Sequence, residues 1–510
     1  MLSGCLSYNR GHSSKLDVIF ETMSLLLCCI LLASSWPSIH SSQGSHYEGS
    51  LNCVLKQDTK DLTCKPGAND FILTPNYFFE LVTKYSAIVN QNGGIMKGLM
   101  GPMVYFHVTD PDIALKLMNA CLKKNYLYNV AKQWLGDGLI TGDVVTWKRH
   151  RKLIMPTFSQ TTLNEFQDIF NTQSRSFSDS LRSLVGRDVD PWPLVRDNAL
   201  ETICQTVLGL PPDGCKLVDE EYAKATEEML NIFNTRIQTP YMHSDWLYKL
   251  TKTKKIEDKA VNILKRFSSN LLQIKKQSTG VSKNEHAEPK GKAFLDHFLE
   301  LHSQGLLTER ELLDELNTMI VAGHDTVATE LVFILILLGS FPEVQERVYE
   351  EIQSVFDCTD RDVTKYDLPR LVYLEAVIKE VMRLYPVASI IARDADKDVN
   401  IDNHTIPAGG SIILLVWGIN RSKAWGEDAE QFKPERWLDP CTLPDNPAFA
   451  TFSNGSRMCL GKMFAYNSMK TTLVHLLRRF KVTADYRQLK LKVDFLLKPS
   501  SGQNINLELR

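Results

Sequence analysis

The stretch Phe452-Ser453-Asn454-Gly455-Ser456-Arg457-Met458-Cys459-Leu460-Gly461 sets one cysteine between two glycines. An apolar helical pattern (Met463, Phe464, Met469, Leu473, Leu476, Leu477) begins directly after it. Cys459 therefore stands where a turn opens into a helix. Backbone N–H groups and the positive end of the helix dipole point there, and both favour a thiolate over a thiol. A thiolate on a rigid turn suits the axial position of a haem iron, where its electron donation favours O–O cleavage. Gly455 permits the sharp turn, and Gly461 lets backbone approach a flat group closely. Phe452 can shield the sulfur from water, and Arg457 can meet a carboxylate such as a haem propionate. The other reading of an isolated cysteine beside a helix is a small buried hydrophobe. The cysteine alone does not choose between them.

Other groups with chemical potential lie upstream. Leu307–Phe341 is a long helical run that opens on a Thr308-Glu309-Arg310-Glu311 capping pattern and stops before Pro342. Inside it sits Ala322-Gly323-His324-Asp325-Thr326. Gly and Thr cost helix propensity there, and a hydroxyl that bonds back to the backbone can open the helix locally. An acid and an alcohol beside such an opening form a route for protons, with Asp325 and Thr326 as its members. The plainer alternative is a tolerated glycine with a cap-like Asp-Thr pair, and His324 is taken as incidental. Trp147 and Arg151 are one helical turn apart and share a face; taken alone, Trp147-Lys148-Arg149-His150-Arg151 is a solvated basic face. Glu380 and Arg383 also share a face, where an exposed ion pair adds under about 1 kcal/mol.

These groups must be positioned by a large, mostly helical chain. It has 510 residues, 44% apolar and 23% charged, enough for a sizeable buried core. A net charge of −2 gives no support to nucleic-acid binding. The eleven cysteines are scattered with no C-x-x-C pair, so zinc ribbons and thioredoxin chemistry have no support; Cys53 and Cys64 are the pair to watch if that segment is lumenal. An apolar segment at about 18–36 reads as a membrane anchor, with a cleaved signal peptide as its rival. Residues 37–70 read as a linker and 71–510 as the main domain. Met103–Val108 reads as a strand, and Asp110-Pro111 starts a helix. Residues 160–275 are mostly helical, punctuated at Leu210–Gly214 and Thr239-Pro240, and Ile274–Lys292 is a polar surface loop. Val387–Arg393 and Ser411–Trp417 read as strands about an Ile406–Gly410 turn. Phe495–Gly502 and Ile505–Arg510 read as a closing hairpin.

The cysteine segment resembles the haem-binding signature of the cytochrome P450 family, Phe-x-x-Gly-x-Arg-x-Cys-x-Gly, at every defined position. From Phe71 to Arg510 further motifs follow in that family's order. The resemblance implies a mainly α fold with small β-sheets (α+β), haem lying between the long distal helix and the Cys-loop with its proximal helix. It implies Cys459 as iron ligand, with Arg457, Phe452 and Gly461 around it. Trp147, Arg151 and Arg393 would hold propionates, and Asp325 and Thr326 would be catalytic. Glu380, Arg383 and the later Arg436 would form a buried charge cluster. No Gly-rich dinucleotide motif sits between a strand and a helix. Electrons from NADPH would then arrive through a separate NADPH–cytochrome P450 reductase, with cytochrome b5 as a further donor. The expected activity is monooxygenation of a hydrophobic small molecule, lipid-like, hormone or xenobiotic. The expected location is the endoplasmic reticulum membrane, with the catalytic domain facing the cytosol. Substrate would meet Asn119–Ala131, Met319–Ala322, Val387–Ile391 and Pro499–Gly502. Rival readings are a haem-thiolate isomerase or dehydratase of oxidised lipids, and a non-catalytic haem-binding sensor.

The likeness is nearest to the branch containing fatty-acid ω-hydroxylases, through Gly136-Asp137-Gly138-Leu139-Ile140, Phe294-Leu295-Asp296, Gly323-His324-Asp325-Thr326 and His475–Phe480. Three positions depart from it. Ala322 replaces a glutamate that can esterify haem, so non-covalent haem b and looser control of substrate position are expected. Asn420-Arg421-Ser422 replaces a His-Arg-Asp, and Ser468 stands where acidic residues are usual.

Overall fold

The computed structural model describes residues 75–100, 103–209, 217, 220–281, 293–444 and 446–510. The expectations for the anchor, the linker, Cys53 with Cys64 and the Leu210–Gly214 break lie outside the described residues. Contacts divide the chain into two compact units, residues 1–64 with 97–105 and residues 65–96 with 106–510. The described part of the first unit is the adjoining portions of strands β1 (Ile95–Met100) and β2 (Met103–Val108).

The second unit is mainly helical. Its helices of ten or more residues are α1 (Pro75–Gln91), α2 (Pro111–Ala120), α3 (Val144–Ile154), α4 (Gln167–Leu181), α5 (Trp192–Leu208), α6 (Glu220–Gln238), α7 (Lys252–Val281), α8 (Phe294–Ser303), α9 (Glu309–Ser340), α10 (Pro342–Phe356), α11 (Val372–Leu384) and α12 (Lys462–Leu477). Local chemistry sets their starts. Asp110 accepts from the N–H groups of Asp112 and Ile113, with Pro111 as first residue of α2. Thr308 and Glu311 cap α9 reciprocally. The helix α9 is apolar and long enough to span a bilayer, but 83% of its apolar window is buried in protein, so it is the core helix of this unit. It lies along α5 and also meets α12, α11 and α7.

The remaining strands are β3 (Lys123–Lys124), β4 (Asp188–Val189), β5 (Ile391–Asp394), β6 (Val399–Ile401), β7 (His404–Ile406), β8 (Ser411–Leu414), β9 (Phe480–Thr483), β10 (Lys490–Asp494), β11 (Leu496–Ser501) and β12 (Ile505–Leu509). In the main sheet β5 lies between β8 and β3, both antiparallel to it, and Lys124 faces Arg393 across the ladder.

Four expectations change. The strand expected from Val387 begins at Ile391. The strand from Ser411 stops at Leu414 and passes into a helical turn, Val416–Ile419. The segment 274–281 continues α7 instead of forming a loop. The C-terminal runs do not pair with each other: β11 pairs with β10, and β12 with β9 and β4. Phe495, with φ of +62°, sits in the one-residue turn between β10 and β11. Alternating patterns mark strands but not their partners.

Candidate active site

The cysteine turn is built from its own backbone. Ser453 N–H donates to Ala450 O at 2.8 Å and Cys459 N–H to Phe452 O at 2.9 Å. Gly455 has φ of +72°, and a Cβ there would lie 2.6 Å from Asn119 Oδ1, so glycine is needed on both counts. Gly461 has an ordinary φ of −78° and forms the N-cap of α12. A Cβ on it would meet only Cys459 Sγ, at 3.9 Å. Cys459 is exposed to solvent-sized space. Yet burial raises its thiol pKa, with Gly461 N–H, Arg151 and Lys462 pulling down only in part. The expectation that turn and helix dipole favour the thiolate is overturned for the thiol by itself: desolvation outweighs them. The Phe452 ring stacks obliquely on Tyr466, centroids 5.5 Å apart.

On α9, Ala322 is exposed and Thr326 half-buried, while His324 and Asp325 are buried. Thr326 Oγ1 donates to Ala322 O at 2.7 Å. The helix runs through unbroken, and Gly323 has a packing reason: a Cβ there would lie 2.7 Å from Ile203 Cδ1 on α5. Asp325 takes a different partner, Lys498 Nζ on β11 at 2.7 Å. Its Oδ2 is buried without a partner. Lys498 also lies 4.5 Å over the Trp192 ring and lines a cavity of about 400 Å³ shared with Arg196, Glu227 and Asp494. His324 Nδ1 is 2.8 Å from Ile320 O, and burial lowers its pKa.

Trp147 on α3 is buried. The Arg457 guanidinium lies 4.1 Å over its ring and that of Arg151 5.8 Å. Arg457 is 8% exposed, and none of its three guanidinium nitrogens has a hydrogen-bond partner. Burial, then the neighbouring Arg393, push its pKa to about 9. Arg393 is 2% exposed; it donates through Nη1 to Ala392 O, leaving Nε unpartnered. Burial, then Arg393 and Arg457, push Lys124 well down.

Residues 76–506 match the family description Cytochrome P450. The chain belongs to the cytochrome P450 family. This P450 is 32% identical over 426 residues to the protein named Cytochrome P450 4c21 of Blattella germanica, spanning 80% of this chain and 85% of that one. It is 32% identical over 400 residues to Cytochrome P450 4ae1 of Drosophila melanogaster, with 76% and 80% covered. It is 29% identical over 449 residues to Cytochrome P450 4V2 of Homo sapiens, with 85% of each covered. The chain is thus a P450 monooxygenase, and the family implies a haem-iron cofactor.

The residues of this P450 fit that cofactor. Lys124, Arg151, Arg393 and Arg457 form a cationic cluster: Arg393 and Arg457 lower the pKa of Lys124, and Arg393 and Arg151 that of Arg457, with Tyr128 and Asp143 acting the other way on Arg457. Buried, unpartnered guanidinium nitrogens are costly unless an anion meets them, and a haem carries two propionates. The sequence placed Lys124 and Tyr128 only inside an expected substrate segment, Asn119–Ala131, and not among the cationic groups. The β3–β5 pairing sets Lys124 opposite Arg393. Lys498 was missed because only the packing of β11 on α9 brings it to Asp325.

Glu380, Arg383 and Arg436 come together. Glu380 accepts from Arg383 Nε at 2.9 Å and Nη2 at 2.8 Å, and from Arg436 Nε and Trp437 Nε1, both at 2.9 Å. Burial works against its charge, but the two arginines hold its pKa low. Asn420, at a departing position, donates to Arg383 O and accepts from Ala450 N–H, tying this cluster to the cysteine turn. Asn119 Oδ1 accepts from Ser456 N–H, so the first expected substrate segment starts against the cysteine turn. Leu497 N–H donates to Val387 O, which sets the start of β11, the strand that runs on into Pro499–Ser501, against the Val387–Ile391 segment.

Proposed function

We propose that this P450 oxidises a hydrophobic small molecule with haem held by Cys459 and by the cluster of Trp147, Arg151, Arg393, Arg457 and Lys124. The observation that carries the reading is the unpartnered Arg457 guanidinium beside Arg393, a dianion-shaped deficit of negative charge one turn from Cys459. Bound haem iron supplies dioxygen activation and insertion of one oxygen atom into substrate. The chain supplies the rest. Cys459 would hold the iron through its thiolate, since a metal cation offsets the desolvation that otherwise favours the thiol. Phe452 shields the sulfur from water, and Gly461 lets backbone approach the haem closely. Thr326 presents a hydroxyl on the distal side, and Asp325, held by Lys498, exchanges protons with the cavity that Lys498 lines. Glu380, Arg383 and Arg436 hold the cysteine turn rigid.

Met319, Val321, Val387 and Ile391 are apolar, which suits a lipid-like or other apolar substrate. With no dinucleotide motif in the chain, electrons from NADPH come through a reductase on the same endoplasmic reticulum membrane, the domain facing the cytosol and cytochrome b5 as a second donor. Ala322 leaves no carboxylate to esterify haem at that position, so acidified organic solvent is expected to extract the haem intact.

The experiment is the carbon monoxide difference spectrum of the reduced protein. The red-shifted band of thiolate-bound iron is expected, with its loss in Cys459→Ser. A Cys459→Ser protein that keeps both spectrum and turnover would overturn the reading. Turnover with reductase and NADPH separates it from isomerisation or dehydration of oxidised lipids, which consume no NADPH.

A further inference from the structure

The Gly-Asp-Gly pattern at 136–138 has a structural partner on α9. A Cβ at Gly136, where φ is +54°, would sit 2.0 Å from Asp314 Cγ, and one at Gly138 would sit 2.3 Å from Thr318 Oγ1. Only glycine lets this loop lie so close to the helix. Two adjacent carboxylates then tie it down: Asp137 N–H donates to Asp314 Oδ2 at 3.1 Å and Leu139 N–H to Glu315 Oε2 at 3.2 Å. The other oxygen of Glu315 meets His150 Nδ1 at 2.6 Å, and both side chains are 0% exposed. His150 lies on α3 between Trp147 and Arg151. Positions three apart share a helix face, so what fixes His150 fixes Trp147.

We propose that Glu315 is a positioning residue: its carboxylate seats α3 and the 136–142 loop on α9 together, and so sets how firmly Trp147 and Arg151 grip the haem propionates. This rests on the propionate reading above. One group serves two elements because its two oxygens face different donors. A hydrophobic contact would fix the spacing of the helices but not the rotation of α3 about its axis, which decides where Arg151 points.

The charges around the pair give the seat a pH dependence. His150 Nε2 faces Arg149 Nη2 at 3.0 Å and Glu311 Oε1 at 3.4 Å, with Arg149 and Glu311 paired to each other. Asp314 lies beside Glu315 and feels Arg310, Lys265 and Asp137. Burial lowers the His150 pKa, but the bond to Glu315 and its charge override burial and raise it. Burial raises that of Glu315, which His150 only partly offsets. A raised histidine pKa stabilises fully below the unfolded value of about 6.5 and loses that contribution as pH rises through the folded value. The grip should therefore slacken from neutral to alkaline pH.

The test is haem transfer from the holoprotein to excess apomyoglobin, followed by absorbance from about pH 6 to about pH 9, a span that brackets histidine titration. Glu315→Gln keeps the size and an acceptor but removes the charge. It is expected to lose haem about tenfold faster near pH 6.5, as for other residues that orient a ligand through a second group, with the alkaline rise abolished and partly restored in Glu315→Asp. If Glu315→Gln does not fold, His150→Gln is used and should lose the slope. Wild-type rate and slope in Glu315→Gln, or an intact slope in His150→Gln, overturns the proposal. Arg457→Gln distinguishes the two layers. If it speeds haem loss while Glu315→Gln does not, the propionate reading stands and Glu315 has no such role. If neither does, both fall.

Discussion

Thr326 and Asp325 are neighbours in sequence yet look in different directions, because successive helix residues are turned by about 100°. Thr326 bonds back to Ala322 O at the exposed point of α9, whereas Asp325 turns to Lys498. Thr326→Ala is expected to lower product formed per NADPH consumed by on the order of tenfold or more, with oxygen consumption largely kept; measured coupling equal to wild type would remove Thr326 from proton delivery. Asp325 is 3% and Lys498 10% exposed. Lys498→Met strands a buried carboxylate whose Oδ2 already lacks a partner, so it should destabilise the fold by roughly 3–5 kcal/mol in urea unfolding.

The cysteine turn, the distal helix and the C-terminal strands each depend on a few local rules that tertiary contact then tightens. Gly455→Ala combines a left-handed backbone with a Cβ against Asn119 Oδ1. A cost of about 1–2 kcal/mol follows from the backbone alone, and the fraction of protein purified with haem, read from the Soret-to-protein absorbance ratio, should fall. The Glu380 cluster joins α11 to the Pro434–Trp437 turn. Such a cluster is weak evidence for net stability, but Glu380→Ala leaves two buried arginines facing each other. It should cost roughly 3–5 kcal/mol and release the cysteine turn through Asn420. A Glu380→Ala protein with unchanged unfolding midpoint and haem content would contradict that coupling.

The larger unit carries buried groups that set its response to acid. His475 is fully buried between α12 and α4, its Nε2 at 2.9 Å from Asn171 Oδ1. Burial, with Arg175 and Arg478 adding, lowers its pKa to about 4. The unfolded chain binds that proton at about 6.5, so stability falls as pH drops from there toward 4. Asp367 acts lower: burial opposes its charge, yet Arg361 and Thr364 hold its pKa at about 2. Its contribution is present above the unfolded value of about 3.9 and is lost as pH falls toward 2. Urea midpoints should thus decline in two successive windows, and His475→Gln should make the upper one shallower, with His107, which burial also lowers to about 4, supplying the rest, and leave the lower one unchanged.

Much of this was legible in the residues. The Cys459 signature, the capping box at Thr308, the turn at Gly455 and the α9 run all rest on local rules of spacing and backbone conformation, which a one-dimensional string carries in full. Strand partners were not legible: the C-terminal runs alternate as strands should, but alternation holds no record of which edge they join. Lys124 and Tyr128 lay in an expected substrate segment and Lys498 in an expected strand, but the partners of Lys124 and Lys498 appear only where β3 meets β5 and β11 meets α9. Gly323 reads in the sequence as a cost to its helix and Gly136–Gly138 only as a motif; packing against Ile203, Asp314 and Thr318 gives these glycines their purpose. The chemistry that one residue type can do is written in its side chain, whereas the charge it bears and the partner it meets depend on desolvation and on neighbours hundreds of residues away, and folding alone supplies both.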